Sequence, residues 1–396
     1  VPEPANSVPE PANSVPEPAN SVPEPANPVP EPANPVPEPA NPVPEPANTR
    51  ALPRGTAYPR RMWLSWRVAT ERALYGDGGF FLGTQRPARH FRTSVLASSR
   101  FAAAVTTLLV EVDAALGHPD PLDFVDVGAG GGELVAAVCA LAPDHLVPRL
   151  RAIAVELAAR PPELPSRIGW ADAVPHGVTG LVFANEWLDN VPVEVAEQAG
   201  DGPRRVLVDP ETGSERLGGP LDKGDRAWLD RWWPLTAEGD RAEVGAPRDA
   251  AWAEAVGGVG AGLAVAVDYT HDRGCRPGGG TLAGYHEGRA VRPVPDGSCD
   301  ITAHVALDAC AVAGEAAGAT ATVLTTQREA LRRLGLRACR PPRTLAVEDP
   351  ARYLRELRLA GEEGELTDPA GVGGFGWLIQ SVNLYPPAVF RATMGK

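Results

Sequence analysis

The sequence predicts an α/β fold: a doubly wound, mostly parallel sheet with an inserted region, preceded by a proline-rich repeat. Three observations carry this expectation. Short runs that are apolar throughout alternate with segments of helical period, as strands covered on both faces alternate with their crossover helices. One such run passes straight into the glycine cluster 128–132 and then a helix, and residues 1–48 are a repeat that cannot bury a core.

The repeat is seven copies of VPEPAN, joined by Ser7, Ser14 and Ser21 and then by Pro28, Pro35 and Pro42. Alternating proline fixes φ and removes backbone donors, so residues 1–50 are expected to be polyproline II or disordered rather than helix or central strand. A solvated spacer is the plain interpretation, and a docking arm for a proline-binding partner is the other.

Residues 51–120 read as an N-terminal helical cap. The stretch 62–74 (MWLSWRVATERAL) sets Trp63, Trp66 and Ala69 or Thr70 at helical spacing before the Gly76 to Gly79 turn breaks it. Residues 99–116 are rich in Ala, Val and Leu at the same period until Gly117-His118-Pro119 stops them.

Residues 121–396 read as the main domain, with an insertion at about 195–260. A strand at 123–127 (DFVDV), the glycine turn, a helix at 133–141 and a strand at 150–155 (LRAIAV) make a βαβ unit, which handedness turns into a parallel sheet. Further buried strands are expected at 180–184 (GLVFA) and 262–267 (GLAVAV), and another α/β stretch from about 324 onward completes the sheet. In the insertion, 204–208 reads as a strand and the Trp-rich 227–235 as a helix.

The formal charge of −13 comes partly from the repeat, each copy of which adds one Glu and no base. An acidic chain without a basic run argues against nucleic acid, whose phosphates need Lys and Arg. A cationic or neutral substrate is easier to accept. Five widely spaced cysteines with no C-x-x-C pair suggest thiols rather than a metal or redox site. No apolar run nears the roughly 20 residues of a membrane helix, so no membrane partner and a cytoplasmic location are expected.

Glycines at 128, 130 and 132 let backbone pass close to a ligand, because no Cβ intervenes and left-handed φ costs little. Glu156, ending the next strand, stands where a carboxylate accepts from ribose hydroxyls. Asp172, after Trp170, is placed to accept from an adenine amine while the Trp ring stacks; core packing and helix capping explain those two residues as well. The pattern indicates an adenosine ligand and leaves both a dinucleotide and S-adenosylmethionine open.

Several segments together resemble the MidA family of S-adenosylmethionine-dependent methyltransferases, relatives of a mitochondrial complex I assembly factor that methylates an arginine side chain. They are ALYGDGGFF at 73–81, FRTS at 91–94, VDVGAGGGEL at 125–134 and NEWLDNVPVEV at 185–195. VDY at 267–269, GGTLAGY at 279–285, DITAHV at 300–305 and LTTQREALRRLGL at 324–336 continue the set. The resemblance implies a Rossmann-like class I methyltransferase fold, S-adenosylmethionine as cofactor with Thr93 of FRTS among the residues beside it, and an arginine in a protein substrate.

For transfer itself the sequence offers Asn185 and Glu186, directly after the strand at 180–184, on the edge where open α/β sheets bind ligands. Glu186 and Asp189 could grip a guanidinium fork as a carboxylate pair, with Asp300 as a second carboxylate and His304 as proton acceptor. Helix capping is the structural alternative for the first two, and a satisfied core position for His304. Two other functions stay open: a catalytically silent S-adenosylmethionine-binding assembly protein, and a dinucleotide-dependent oxidoreductase.

Overall fold

A computed structural model describes residues 63–82, 99–271 and 273–391. The repeat and Thr93 lie outside the described residues. In chain order the first described elements are β1 (Leu64–Ser65), α1 (Trp66–Tyr75), α2 (Ser99–Ala115), β2 (Leu122–Val127), α3 (Glu133–Leu141), β3 (Leu150–Val155), β4 (Gly169–Ala171) and β5 (Val178–Asn185). Next come β6 (Glu194–Ala199), β7 (Gly202–Val208), β8 (Glu215–Pro220), α4 (Lys223–Trp232), β9 (Arg241–Val244), α5 (Ala246–Gly257) and β10 (Val259–Asp268). They are followed by β11 (Ala283–His286), β12 (Arg289–Val291), β13 (Asp300–Thr302), α6 (Leu307–Ala316), β14 (Ala321–Thr326), α7 (Gln327–Arg333), α8 (Leu345–Glu348), α9 (Pro350–Leu366), β15 (Gly376–Val382) and α10 (Ala388–Arg391).

Seven strands form the central sheet in the order β14-β15-β10-β5-β2-β3-β4. The neighbours from β10 to β4 run parallel, and β15 runs antiparallel to both β10 and β14. The apolar strands alternate their side chains between two cores, as the pleat requires. Phe124, Leu181, Phe183, Leu263 and Trp377 point to one face, with α2 and α3; Val125, Val182, Ala264 and Leu378 point to the other, with Trp252 of α5 and Cys310 of α6. On the first face Phe101, Phe183 and Trp377 meet edge to face at centroid distances of 5.7 to 6.3 Å.

A second sheet, β1-β7-β6-β9 with β8 on β7, is antiparallel throughout, and β12-β11-β13 form a third. Leu64 and Ser65 pair with Val208 and Leu207, and the Trp66 indole donates to Glu215 at 2.6 Å, so β1 and α1 belong to the inserted sheet. By contrast α2 packs into the main core.

The first helix begins at Trp66 rather than near residue 62, because Ser65 pairs as strand and its hydroxyl accepts from Val68 N–H. The Trp-rich helix lies earlier than 227–235. Asp222 caps its start by accepting from Asp225 N–H at 2.9 Å, and the helix ends before Pro234, as the residue preceding a proline disfavours the α region. Trp170 lies within β4. Among the described residues, no helix is long and apolar enough to cross a membrane.

Candidate active site

The sheet changes direction between β2 and β5: β3 and β4 lie on one side, β10 and β15 on the other. At such a switch point a crevice opens beyond the carboxyl ends of the strands. The glycine turn leaves β2 on one wall, and Asn185-Glu186 leaves β5 on the other.

Gly128, Gly130 and Gly132 have φ of 69°, 56° and 83°, the left-handed region in which a side chain is strained. The turn is tied down on both sides: Gly128 and Ala129 donate to Val155 O at 3.0 and 3.2 Å, and Gly130 donates to Glu156 Oε2 at 2.9 Å. Beneath it Asp126 is buried and accepts from Val135 N–H at 3.1 Å, anchoring the first turn of α3. Burial pushes its carboxyl up to about 8, with Glu133 and Glu156 adding to the shift and the Val135 bond opposing it.

This cradle fits an adenosyl cofactor. A Cβ at Gly130 would meet nothing within 4 Å among the described residues. Glu156 accepts one backbone N–H on each oxygen, from Gly130 and Ala158, and a carboxylate with about four lone-pair sites keeps capacity for ribose hydroxyls. Asp172 is exposed just beyond β4, on the same edge. Trp170 takes its packing role: the indole lies against the core and donates to Ala158 O at 3.1 Å.

On the opposite wall Glu186 has φ 51°, costly for a residue other than glycine. Its N–H donates to Val267 O, and its Oε1 accepts from Asn185 Nδ2. The turn that follows is pinned by Asp268, whose Oδ2 accepts from the N–H groups of Leu188 and Asp189 at 3.0 and 3.2 Å. Glu186 and Asp189 are not equivalent partners. Glu186 is half-buried at the edge, whereas Asp189 lies inside with Oδ2 bound to Thr302 Oγ1 at 2.7 Å.

Asp300 accepts from Asn190 Nδ2 at 2.9 Å and joins the same group. Burial raises Asp268 well above the usual carboxylate range, the charge of Asp189 adds to that, and Arg248 pulls the other way. Burial likewise pushes Asp300 up to about 8, with Asp189 and Glu186 contributing. The compensating cation is Arg248 of α5, buried and donating to the carbonyls of Asp189 (2.6 Å), His304 (2.9 Å) and Val191 (3.3 Å).

His304 stacks on Tyr269 at 5.8 Å between centroids. With Thr281, Ala283, Tyr285, Thr302 and Ala303 these rings line a cavity of about 80 Å³. Burial lowers the His304 pKa, so its imidazole is neutral at physiological pH. Asn185, Glu186, Asp189 and Asp300 thus share one turn and its partners, and His304 is tied to it through Arg248, which donates to the carbonyls of Asp189 and His304, and through Thr302, which donates to Asp189 and lines the His304 cavity; the sequence does not single out Arg248, Asp268, Tyr269 or Trp187. The VDY motif was a signal for Asp268 and Tyr269; Arg248 had none, since nothing local marks an arginine for burial.

The mostly parallel sheet, with the glycine turn and Glu156 at its carboxyl edge, is the arrangement of a Rossmann-like fold that binds an adenosyl ligand. The model of the S-adenosyl-L-methionine-dependent methyltransferase family Methyltransf_28 matches residues 104–325, and the chain belongs to that family. A COG1565 superfamily member from Burkholderia thailandensis, solved with S-adenosyl-homocysteine bound, is 25% identical over 83% of this chain and 90% of its own, with a TM-score of 0.69. The native crystal structure of a COG1565 superfamily protein from the same organism is also 25% identical, over 84% of this chain and 91% of its own, at TM-score 0.69. Among curated proteins there is no match. The protein is an S-adenosylmethionine-dependent methyltransferase, as the MidA resemblance implied, and the dinucleotide oxidoreductase is set aside.

Proposed function

We propose that the methyl group goes to a nitrogen of a protein substrate, an arginine side chain by family resemblance. One observation carries this reading. Among the described residues, Asn185 Oδ1 and Asp189 Oδ1 are buried acceptors that no donor meets at hydrogen-bond geometry, on the turn beside Glu186. Buried polar atoms are almost always satisfied, so such a pair at a ligand edge suits a substrate rich in N–H groups. A guanidinium offers five donors and a positive charge to a site where burial raises the pKa of Asp189 and Asp300.

When bound, S-adenosylmethionine supplies an electrophilic methyl on a sulfonium; Gly128, Gly130, Gly132, Glu156 and Asp172 would hold it. Glu186 and the acceptor oxygens of Asn185 and Asp189 orient the guanidinium and concentrate electron density on the attacking nitrogen. That nitrogen forms the new bond to carbon as the carbon–sulfur pair returns to sulfur. The displaced N–H proton passes to His304, held by its stack on Tyr269. We place the reaction in the cytoplasm, where the free cysteines would remain thiols.

The test is incubation with methyl-labelled S-adenosylmethionine and arginine-bearing or lysine-bearing protein substrates, followed by amino-acid analysis. Label in methylarginine is the expected result. Label confined to lysine or to small molecules would refute the arginine assignment.

A further inference from the structure

Trp187 sits between the two walls of the crevice. A Cβ built on Gly128 would come within 2.8 Å of Trp187 Cδ1 and 3.0 Å of its Cβ and Cγ, so the indole occupies the place a side chain at 128 would take. Real Cβ atoms essentially never approach this closely, and here the obstacle is the base of a ring rather than a flexible tip. Glycine at 128 therefore answers two demands, a left-handed φ of 69° and this contact.

The neighbours of Trp187 are the acceptor-side groups. Glu186 precedes it in its left-handed conformation, and Leu188 and Asp189 follow with both N–H groups on Asp268. The ring also packs against the core face that holds Val127, Ala184 and Leu188, the ends of β2 and β5 and the turn between the walls. The indole therefore touches the glycine turn on one side and adjoins Glu186 in the chain on the other.

We propose that Trp187 is the positioning residue that couples the cofactor turn to the acceptor turn. This rests on the reading of residues 185–190 as the acceptor side. The contact itself is tested through cofactor binding alone, so the two readings fail separately.

The experiment is a double-mutant cycle on the full chain, with S-adenosyl-homocysteine titrated calorimetrically into wild type, Gly128→Ala, Trp187→Ala and the double variant. Gly128→Ala is expected to weaken binding at least tenfold in the wild-type background, by clash and backbone strain together. With Trp187 removed, only the strain remains, and the same substitution is expected to cost less than a third as much. In parallel, the wild-type emission change on binding should be lost in Trp187→Phe, which retains binding; subtracting the two isolates one tryptophan of nine. An equal cost of Gly128→Ala in both backgrounds, or an identical emission change in Trp187→Phe, would overturn the proposal. Failure of Glu186→Gln to affect transfer, with the coupling intact, would remove the acceptor reading and leave the contact standing.

Discussion

Single side chains at the crevice make separable predictions. Glu186→Gln keeps the shape of the edge and removes its charge, so S-adenosyl-homocysteine binding should survive while turnover falls by about 10- to 10²-fold, the loss of a charge-assisted hydrogen bond of about 1.5–3 kcal/mol to the acceptor. Intact turnover would contradict its role in transfer. Arg248→Met leaves Asp189 and Asp268 buried without their cation; breaking such a cluster costs about 3–5 kcal/mol, readable by urea unfolding. Asp126 gives a pH dependence of definite sign. Its folded pKa of about 8 lies above the ordinary 3.8, so the unfolded chain releases the proton first and stability falls as pH rises through that window. Asp126→Asn retains an acceptor for Val135 N–H and cannot ionise. Its melting temperature relative to wild type should rise from pH 5 to pH 8, and a constant difference would argue against the buried protonated acid.

At the level of elements, the energetic centre is where α2, β5 and β15 meet. Phe183→Ala would empty the space among Phe101 and Trp377 and should cost about 3–5 kcal/mol, measured by chemical denaturation. The strands of that region were legible in the chain because both faces are covered, which leaves an unbroken apolar run such as GLVFA or GLAVAV. The helix at Glu133–Leu141 and the strand at Leu150–Val155 were legible to the residue. The two-residue β1 and the three-residue β12 and β13 were not, since pieces so short carry no period and exist only through distant partners. The site divides the same way. Asn185, Glu186 and Glu156 could be found as polar residues ending apolar strands, whereas the burial of Asp189 and Arg248 is decided by a third sheet and a helix remote in sequence.

For the molecule as a whole, cofactor binding and stability are linked. A ligand that binds only the folded chain stabilises it by about 2.7 kcal/mol at a hundred times its Kd. S-adenosyl-homocysteine should therefore raise the melting temperature measurably, and NADH should leave it unchanged. A rise with NADH alone would contradict the cofactor assignment. The acidic balance of the chain, −13 in all, also favours approach of basic substrates at low salt, and transfer to a cationic protein should slow as ionic strength rises.

The place of β15 bears on biosynthesis. It follows the other fourteen described strands in sequence yet lies inside the sheet, between β10 and β14. At about 5–20 residues per second, a ribosome needs several seconds after releasing Thr326 to deliver Gly376. Throughout that interval β10 and β14 present unpaired edges, and the Phe101 and Phe183 rings lack the indole that closes them. A nascent chain of this design depends on its own continued translation, or on a chaperone, to keep those edges from pairing with another copy.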